Sequence, residues 1–360
     1  MKVAHIVFGF EHGGIETMLV NIANEQVKQN ISVSIVVINN MIAVDLKSRL
    51  DARVSFFCLD RKRGSKNPIF LFKLNVLLNK GQYDVIHIHY AQIYKYLLPK
   101  FRSKLVGTIH NTSSLNDYPD SVKSIKYLVS VSKTVQKDLF DTKGVESELI
   151  YNGIDLRMFR QKNKDDLSSR FKILIVGRLI HYCKGQDVLL KAISILKNKN
   201  VDNISLDIIG DGDSLSYLQE LTSSLGVEEN VNFLFAKSQE YIFQHLADYE
   251  LLVVPSFFES FGLTTIEGMA AKIPVLCSDI SATKELSDNG KYVTLFKKGD
   301  SVDCADKIEA IIHNYPSAEY LAASYEYAKS RFDISITVDN YIKLYNRILS
   351  FHRRDSVTPK

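Results

Sequence analysis

The segment from Val253 to Ala271 brings together residue types that could hold an anion and a polyol side by side. An apolar stretch ends at Pro255, a short loop carries Glu259, and a helical pattern begins near Gly262. The amides of Phe261, Gly262 and Leu263 would then open a helix, where unsatisfied N–H groups and the helix dipole favour an anion such as a diphosphate. Glu259 in the loop and Glu267 on the second turn would set carboxylates beside it. Ionised carboxylates only accept hydrogen bonds, which suits the hydroxyls of a sugar or ribose. The plainer alternatives are that Glu259 caps the helix and Glu267 is a solvated helix residue.

Arg178 and Lys184 flank a turn that follows an apolar strand, where they could neutralise a diphosphate and stabilise it as a leaving group. Plain surface charge is the competing reading. Gly13 and Gly14 precede a helical pattern and would let backbone approach a phosphate, or simply make a tight turn. Their continuation, Ile15-Glu16, lacks the Lys-Ser/Thr of an ATP-binding loop, and the segment does not fit the dinucleotide fingerprint either. ATPases and NAD enzymes are thereby disfavoured. His110 ends the strand-like run Thr108-Ile109-His110; its imidazole, neutral or protonated, could hydrogen-bond a sugar hydroxyl and help position an oxocarbenium-like transition state. His87 and His89, two apart on one strand, are read as including at least one satisfied structural histidine. Asp211-Gly212-Asp213 could in principle hold a divalent ion against a diphosphate.

The elements that would position these residues recur twice. Runs rich in β-branched residues at Lys2–Phe8, Val33–Ile38, Asp84–His89, Lys104–Ile109 and Tyr127–Val131 alternate with helical patterns. The pattern restarts at Phe171–Val176, Leu206–Ile209, Val231–Phe235, Leu251–Val254 and Pro274–Leu276, after a polar stretch, Gln161–Arg170, read as a linker. Such alternation implies α/β architecture with two doubly wound parallel sheets, whose strand carboxyl ends would face one another across a cleft. The expected domains are residues 1–160 and 161–335. The tail is read as an amphipathic helix over about 336–352 from its apolar spacing at Ile336, Val338, Tyr341, Leu344, Tyr345 and Ile348.

The 360 residues exceed what one core usually supports, and 46% hydrophobic with 24% charged residues is the composition of a globular protein. Four scattered cysteines without a Cys-x-x-Cys pair suggest neither a disulfide framework nor a zinc site, so a reducing cytoplasm is expected. Residues 1–160 carry 22 Lys+Arg against 14 Asp+Glu, a net +8, whereas residues 161–360 are net −4. The basic runs Arg61, Lys62, Arg63, Lys66 and Lys95, Lys100, Arg102, Lys104 suit an acidic partner, or are solvated loops. No amphipathic helix suited to membrane insertion is evident in that half.

Two glutamates eight positions apart around Ser260-Phe261-Gly262-Leu263 resemble the signature of retaining glycosyltransferases of family 4, which have the GT-B fold of two Rossmann-like domains. The resemblance runs through Gly13-Gly14-Ile15-Glu16, His110, Asn152-Gly153-Ile154-Asp155 with Phe159, Gly177-Arg178-Leu179 to Lys184-Gly185, and Gly210-Asp211-Gly212. It implies donor ribose binding at Glu267, contact with the transferred sugar at Glu259, and a C-terminal helix crossing back onto the first domain. It also makes Asp211-Gly212 a turn and not a metal site, so no metal or other cofactor is expected. The implied reaction moves a hexosyl or N-acetylhexosaminyl group from a nucleoside diphosphate sugar, UDP-sugar favoured, to a glycan or lipid-linked glycan. Capsular, exopolysaccharide or O-antigen assembly is the expected context. A lipid-linked acceptor would bring the basic half to the anionic inner face of the plasma membrane; no nucleic-acid partner is expected. A nucleotide-sugar epimerase and a binding-only scaffold are the alternatives. Phe235-Ala236-Lys237, near the expected base-binding region, departs from the family's more usual glycine.

Overall fold

The computed structural model describes residues 1–115, 117–163 and 169–355, with side chains described to residue 350. It divides into two compact units: Met1–Asp155 with Phe332 onward, and Leu156–Arg331. The first holds β1 (Lys2–Val7), β2 (Ser32–Asn39), β3 (Ser55–Arg61), β4 (Val85–Ile88), β5 (Leu105–Ile109), β6 (Tyr127–Ser130) and β7 (Glu148–Leu149). Its sheet order is β3-β2-β1-β4-β5-β6-β7, with parallel pairing throughout. The second holds β8 (Phe171–Val176), β9 (Ile204–Ile209), β10 (Val231–Phe235), β11 (Leu251–Val254), β12 (Val275–Ser278) and β13 (Thr294–Phe296). These are ordered β10-β9-β8-β11-β12-β13, again parallel. Both sheets are doubly wound, and each reverses direction beside its first strand: between β1 and β4, and between β8 and β11. The central strands are buried on both faces because helices cover both sides, which accounts for their continuous apolar runs.

The C-terminal helix, Ile334–Asp355, begins two residues earlier than its apolar spacing suggests and packs on the first helix, Gly14–Lys28. Tyr341 and Tyr345 are fully buried in the core of the first unit. The helix start is clamped by reciprocal bonds, Ile154 N to Phe332 O and Ile334 N to Ile154 O, both 3.0 Å. A Cβ on Gly153 would lie 2.4 Å from Thr337 Oγ1, so the glycine of the Asn152-Gly153-Ile154-Asp155 motif permits this close approach.

The unit boundary falls at Asp155/Leu156, ahead of the polar stretch read as a linker. Phe159 stacks edge-on against Phe243 at 4.6 Å and Lys162 N bonds Ala271 O, so the beginning of that stretch is anchored to the second unit. Residues 164–168 lie outside the described residues. Lys162 pairs with Glu250 at 3.3 Å with both side chains almost wholly buried, and Glu250 also accepts from Lys172 N at 2.7 Å. Removing one partner of a buried pair strands the other charge at a cost of about 3–5 kcal/mol. Lys162→Met is therefore expected to lower the urea midpoint markedly; an unchanged midpoint would show that the pair does not support the fold.

The surface of the first unit differs from the expected one. Arg102 stacks over Tyr94 at 4.7 Å and Lys104 Nζ donates to Tyr83 O at 3.0 Å, so these two cations are engaged by their own unit. The helix Ile69–Gly81, in contrast, leaves Ile69 and Phe72 exposed (55% and 71%) beside exposed Lys62, Arg63, Lys66 and Lys73. Amphipathicity here points outward, because Phe70, Leu74 and Leu78 already fill the inward stripe. No helix among the described residues is long and apolar enough to cross a membrane.

Candidate active site

In the second unit the turns following β8, β9 and β11 touch backbone to backbone. A Cβ on Gly185 would lie 2.0 Å from Pro255 O, and one on Gly210 would lie 1.9 Å from Gly177 O, so only glycine permits these contacts. The amide of Phe257 donates to Cys183 O at 2.8 Å and that of Leu179 to Asp211 O at 2.9 Å. This locking brings Lys184 and Glu259 together from distant sequence positions. Lys184 Nζ lies 2.6 Å from Glu259 Oε1, and Ser256 Oγ donates to the same oxygen at 2.8 Å. Glu259 is thus a held carboxylate whose Oε2 has no partner among the described residues, and it does not cap the helix.

The helix Leu263–Ala270 starts from Gly262, whose φ of 101° lies in the region that favours glycine, and no side chain caps it. The amides of Gly262 and Leu263 have no partner among the described residues, leaving donors and the positive end of a helix at one place. Phe261 buries its ring just before them. Glu267, for which a solvated helix position was the plainer alternative, is half-buried and bonds no described side chain; burial raises its pKa from 4.5 to about 7. Arg178 is exposed, its carbonyl accepting from Gln186 Nε2 at 2.9 Å, with no side-chain partner among the described residues. Asp211 and Asp213 are exposed, and Asp211 Oδ1 accepts from its neighbour Gly212 N at 2.7 Å. Phe235 takes a left-handed φ of 57° and is exposed, a backbone conformation that favours glycine.

In the first unit, Gly13 precedes the helix that opens at Gly14, but its backbone is extended. Glu16 folds back so that a Cβ on Gly13 would lie 2.6 Å from its Oε2, and Tyr90 OH donates to its Oε1 at 3.1 Å. A carboxylate thus already complements this helix start, where a phosphate was expected. His110 lines a small, open pocket with Ile15, His89, Tyr90 and Tyr118. Burial lowers its pKa to about 3, so the ring is neutral and the protonated alternative falls away. The loop beyond it is pinned by Asp138, which accepts from Ser113 N and Tyr118 OH, both at 2.6 Å. Sequence reasoning missed Asp138, since an acid on a separate helix carries no local sign of that role. His5, His87 and His89 bring ring nitrogens within 4.8 Å of one another, close enough for a metal. All six nitrogens, however, already have protein partners, so the trio forms a hydrogen-bond network.

Residues 12–157 match the family described as Glycosyltransferase Family 4, and residues 158–331 that described as Glycosyl transferases group 1. The chain is 26% identical over 309 residues to D-inositol 3-phosphate glycosyltransferase of Mycolicibacterium smegmatis, covering 76% of this chain and 69% of that one. It is 27% identical over 293 residues to phosphatidyl-myo-inositol mannosyltransferase of Mycobacterium leprae, covering 74% of each. Among solved structures, Anabaena HepE in complex with UDP and glucose superposes with a TM-score of 0.78 at 20% identity, covering 96% of this chain and 99% of that one. With two doubly wound units, two family domains in series and these relatives, the chain is a glycosyltransferase of the GT-B fold, composed of a Family 4 domain followed by a group 1 domain.

Proposed function

We propose that the protein transfers a hexosyl or N-acetylhexosaminyl group from a UDP-sugar to a hydroxyl of a glycan or lipid-linked glycan, with retention at the anomeric carbon and without a metal. The observation that carries this reading is the cluster of Lys184, Ser256 and Glu259, the last two just ahead of an uncapped helix start whose second turn carries Glu267, a carboxyl with no side-chain partner among the described residues. Arg178, Lys184 and the Gly262 and Leu263 amides would hold the diphosphate, Glu267 the ribose and Glu259 Oε2 a sugar hydroxyl. UDP in the HepE complexes supports the choice of base. The bond from anomeric carbon to diphosphate breaks as the acceptor oxygen bonds the same face, its proton passing to the departing phosphate oxygen. Glu259, tied by Lys184 and Ser256, is poorly placed to act as a nucleophile.

Incubation with a labelled UDP-sugar and a panel of glycan acceptors tests the reading: label moves to the acceptor with its anomeric configuration kept. Label that isomerises within the nucleotide sugar, or stays put, would overturn it. Turnover is expected to survive excess EDTA, since cations and helix amides supply the positive charge. Complete loss, rescued by magnesium or manganese, would shift diphosphate binding to a metal at Asp211 and Asp213.

Assembly of capsule, exopolysaccharide or O-antigen, at the inner face of the plasma membrane, would use a lipid-linked acceptor. The exposed Ile69 and Phe72 beside four cations support reversible docking on an anionic leaflet. Each cation near such a surface contributes about 1 kcal/mol at most, so co-sedimentation with anionic vesicles is expected to fall with salt and on changing Lys62, Arg63, Lys66 and Lys73 to Ser. Equal binding to neutral vesicles, or none to either, would overturn electrostatic docking on an anionic leaflet.

A further inference from the structure

Three imidazoles and one amide form a continuous line through the first unit. Gln26 on the helix Gly14–Lys28 places its amide oxygen 2.9 Å from His5 Nε2. His5 Nδ1 lies 3.0 Å from His89 Nε2, and His89 Nδ1 lies 3.1 Å from His110 Nε2. A neutral imidazole carries one proton, so one nitrogen donates and the other accepts. An amide oxygen only accepts, hence His5 carries its proton on Nε2 and accepts at Nδ1. His89 must then donate from Nε2 and accept at Nδ1, and His110 must donate from Nε2. The proton of His110 is committed inward, and its Nδ1, with no partner among the described residues, keeps a lone pair.

We infer that Gln26, acting through His5 and His89, sets the tautomer of His110, so that His110 presents Nδ1 to its pocket as a hydrogen-bond acceptor. The matching ligand group is a hydroxyl that donates; a phosphate oxygen, offering only lone pairs, is refused. Burial keeps the line neutral, lowering His5 to about 4 and His89 well below 6.5. A second arm holds the amide: Gln26 Nε2 donates to Tyr345 OH at 3.5 Å, and that hydroxyl lies 2.7 Å from His87 Nδ1. His87 Nε2 in turn lies 2.7 Å from Thr108 Oγ1. The C-terminal helix, through Tyr345, thereby takes part in setting the tautomer of His110. Were the amide turned round, every donor in the line would reverse and His110 would present Nδ1–H instead. Gln26, His5 and His89 are positioning residues.

That this tautomer meets a sugar hydroxyl rests on the reading of the site proposed above; the tautomer itself rests on the hydrogen-bond geometry and on the burial that keeps the line neutral. The experiment is long-range ¹H–¹⁵N spectroscopy of histidine-labelled full-length protein at neutral pH, with His110 identified by the signals lost in His110→Ala. The expected spectrum shows His110 protonated at Nε2 and bare at Nδ1; a protonated Nδ1 would overturn the inference without needing any variant. Gln26→Met, close in shape but with no polar end, is expected to give a mixture of both tautomers. A spectrum of His110 unchanged in that variant would equally overturn it. Gln26→Met should also lower kcat/KM by about fivefold, the usual weight of one hydrogen bond, while the affinity for UDP, which has no sugar to position, stays the same. Full transfer activity in folded His110→Ala would remove the sugar contact and leave the tautomer standing, so the two failures are separable.

Discussion

Arg178→Ala is expected to weaken binding of a UDP-sugar by roughly ten- to a hundredfold, the weight of a charge-assisted hydrogen bond of about 1.5–3 kcal/mol, with the melting temperature unchanged. The exposed side chain has no described partner to lose, so the fold should not respond. Lys184→Met is expected to act differently. Lys184 already sits against Glu259, and the charge that develops on the departing diphosphate would draw on it most in the transition state. Removing a preorganised donor of this kind typically costs about 10²–10³ in kcat, so turnover should fall far more than donor affinity. Calorimetric binding of the UDP-sugar and steady-state rates separate the two effects. Unaltered binding in Arg178→Ala, or unaltered kcat in Lys184→Met, would take that residue out of the site.

Donor affinity is also expected to depend on pH through Glu267. Its carboxyl titrates at about 7 because burial penalises the charged form. Ribose hydroxyls that donate to it favour the ionised form, so binding must displace a proton below that pH. Affinity for a UDP-sugar is then full above pH 7 and falls by up to about tenfold for each unit below it, with release of the displaced proton to the buffer visible calorimetrically. Stability runs the other way. The folded pKa is raised above the unfolded one, so the contribution is fully present below about 4.5 and is lost as pH rises through about 7. Glu267→Gln should flatten both dependences, since an amide does not titrate. A wild-type affinity that is level from pH 6 to 8 would show that Glu267 does not meet the ribose as an ionised carboxylate.

Much of the fold was legible because buried parallel strands need apolar, β-branched runs whatever surrounds them. The spans Phe171–Val176 and Leu251–Val254 coincide with β8 and β11 for that reason. Edge strands escape the same reasoning. In β3, Ser55–Arg61, most residues are exposed or half-buried, β13 spans three residues and β7 only two, so none shows a continuous buried run. The helix start at Gly262 was legible too, because a strand end, a loop and a glycine are local signals.

Partnership between distant side chains was left to the tertiary structure. Residue types alone allowed Lys184 to face a diphosphate, but only the contact of Gly185 with Pro255 O sets its ammonium against Glu259. Glu267 could be placed on the second turn of its helix from sequence, but its half-burial and raised pKa arise only when its neighbours pack. His110 was legible as a candidate from its place after a strand, whereas its neutral state and its link through His89 and His5 to Gln26 required four elements to meet. The sequence by itself thus determined the two sheets, the turns at their strand ends and the residue types in those turns, because these follow from local periodicity and backbone sterics. Pairing, burial and protonation belonged to the tertiary structure, because they depend on which groups share a low-dielectric space, and no pattern within a single element carries that information.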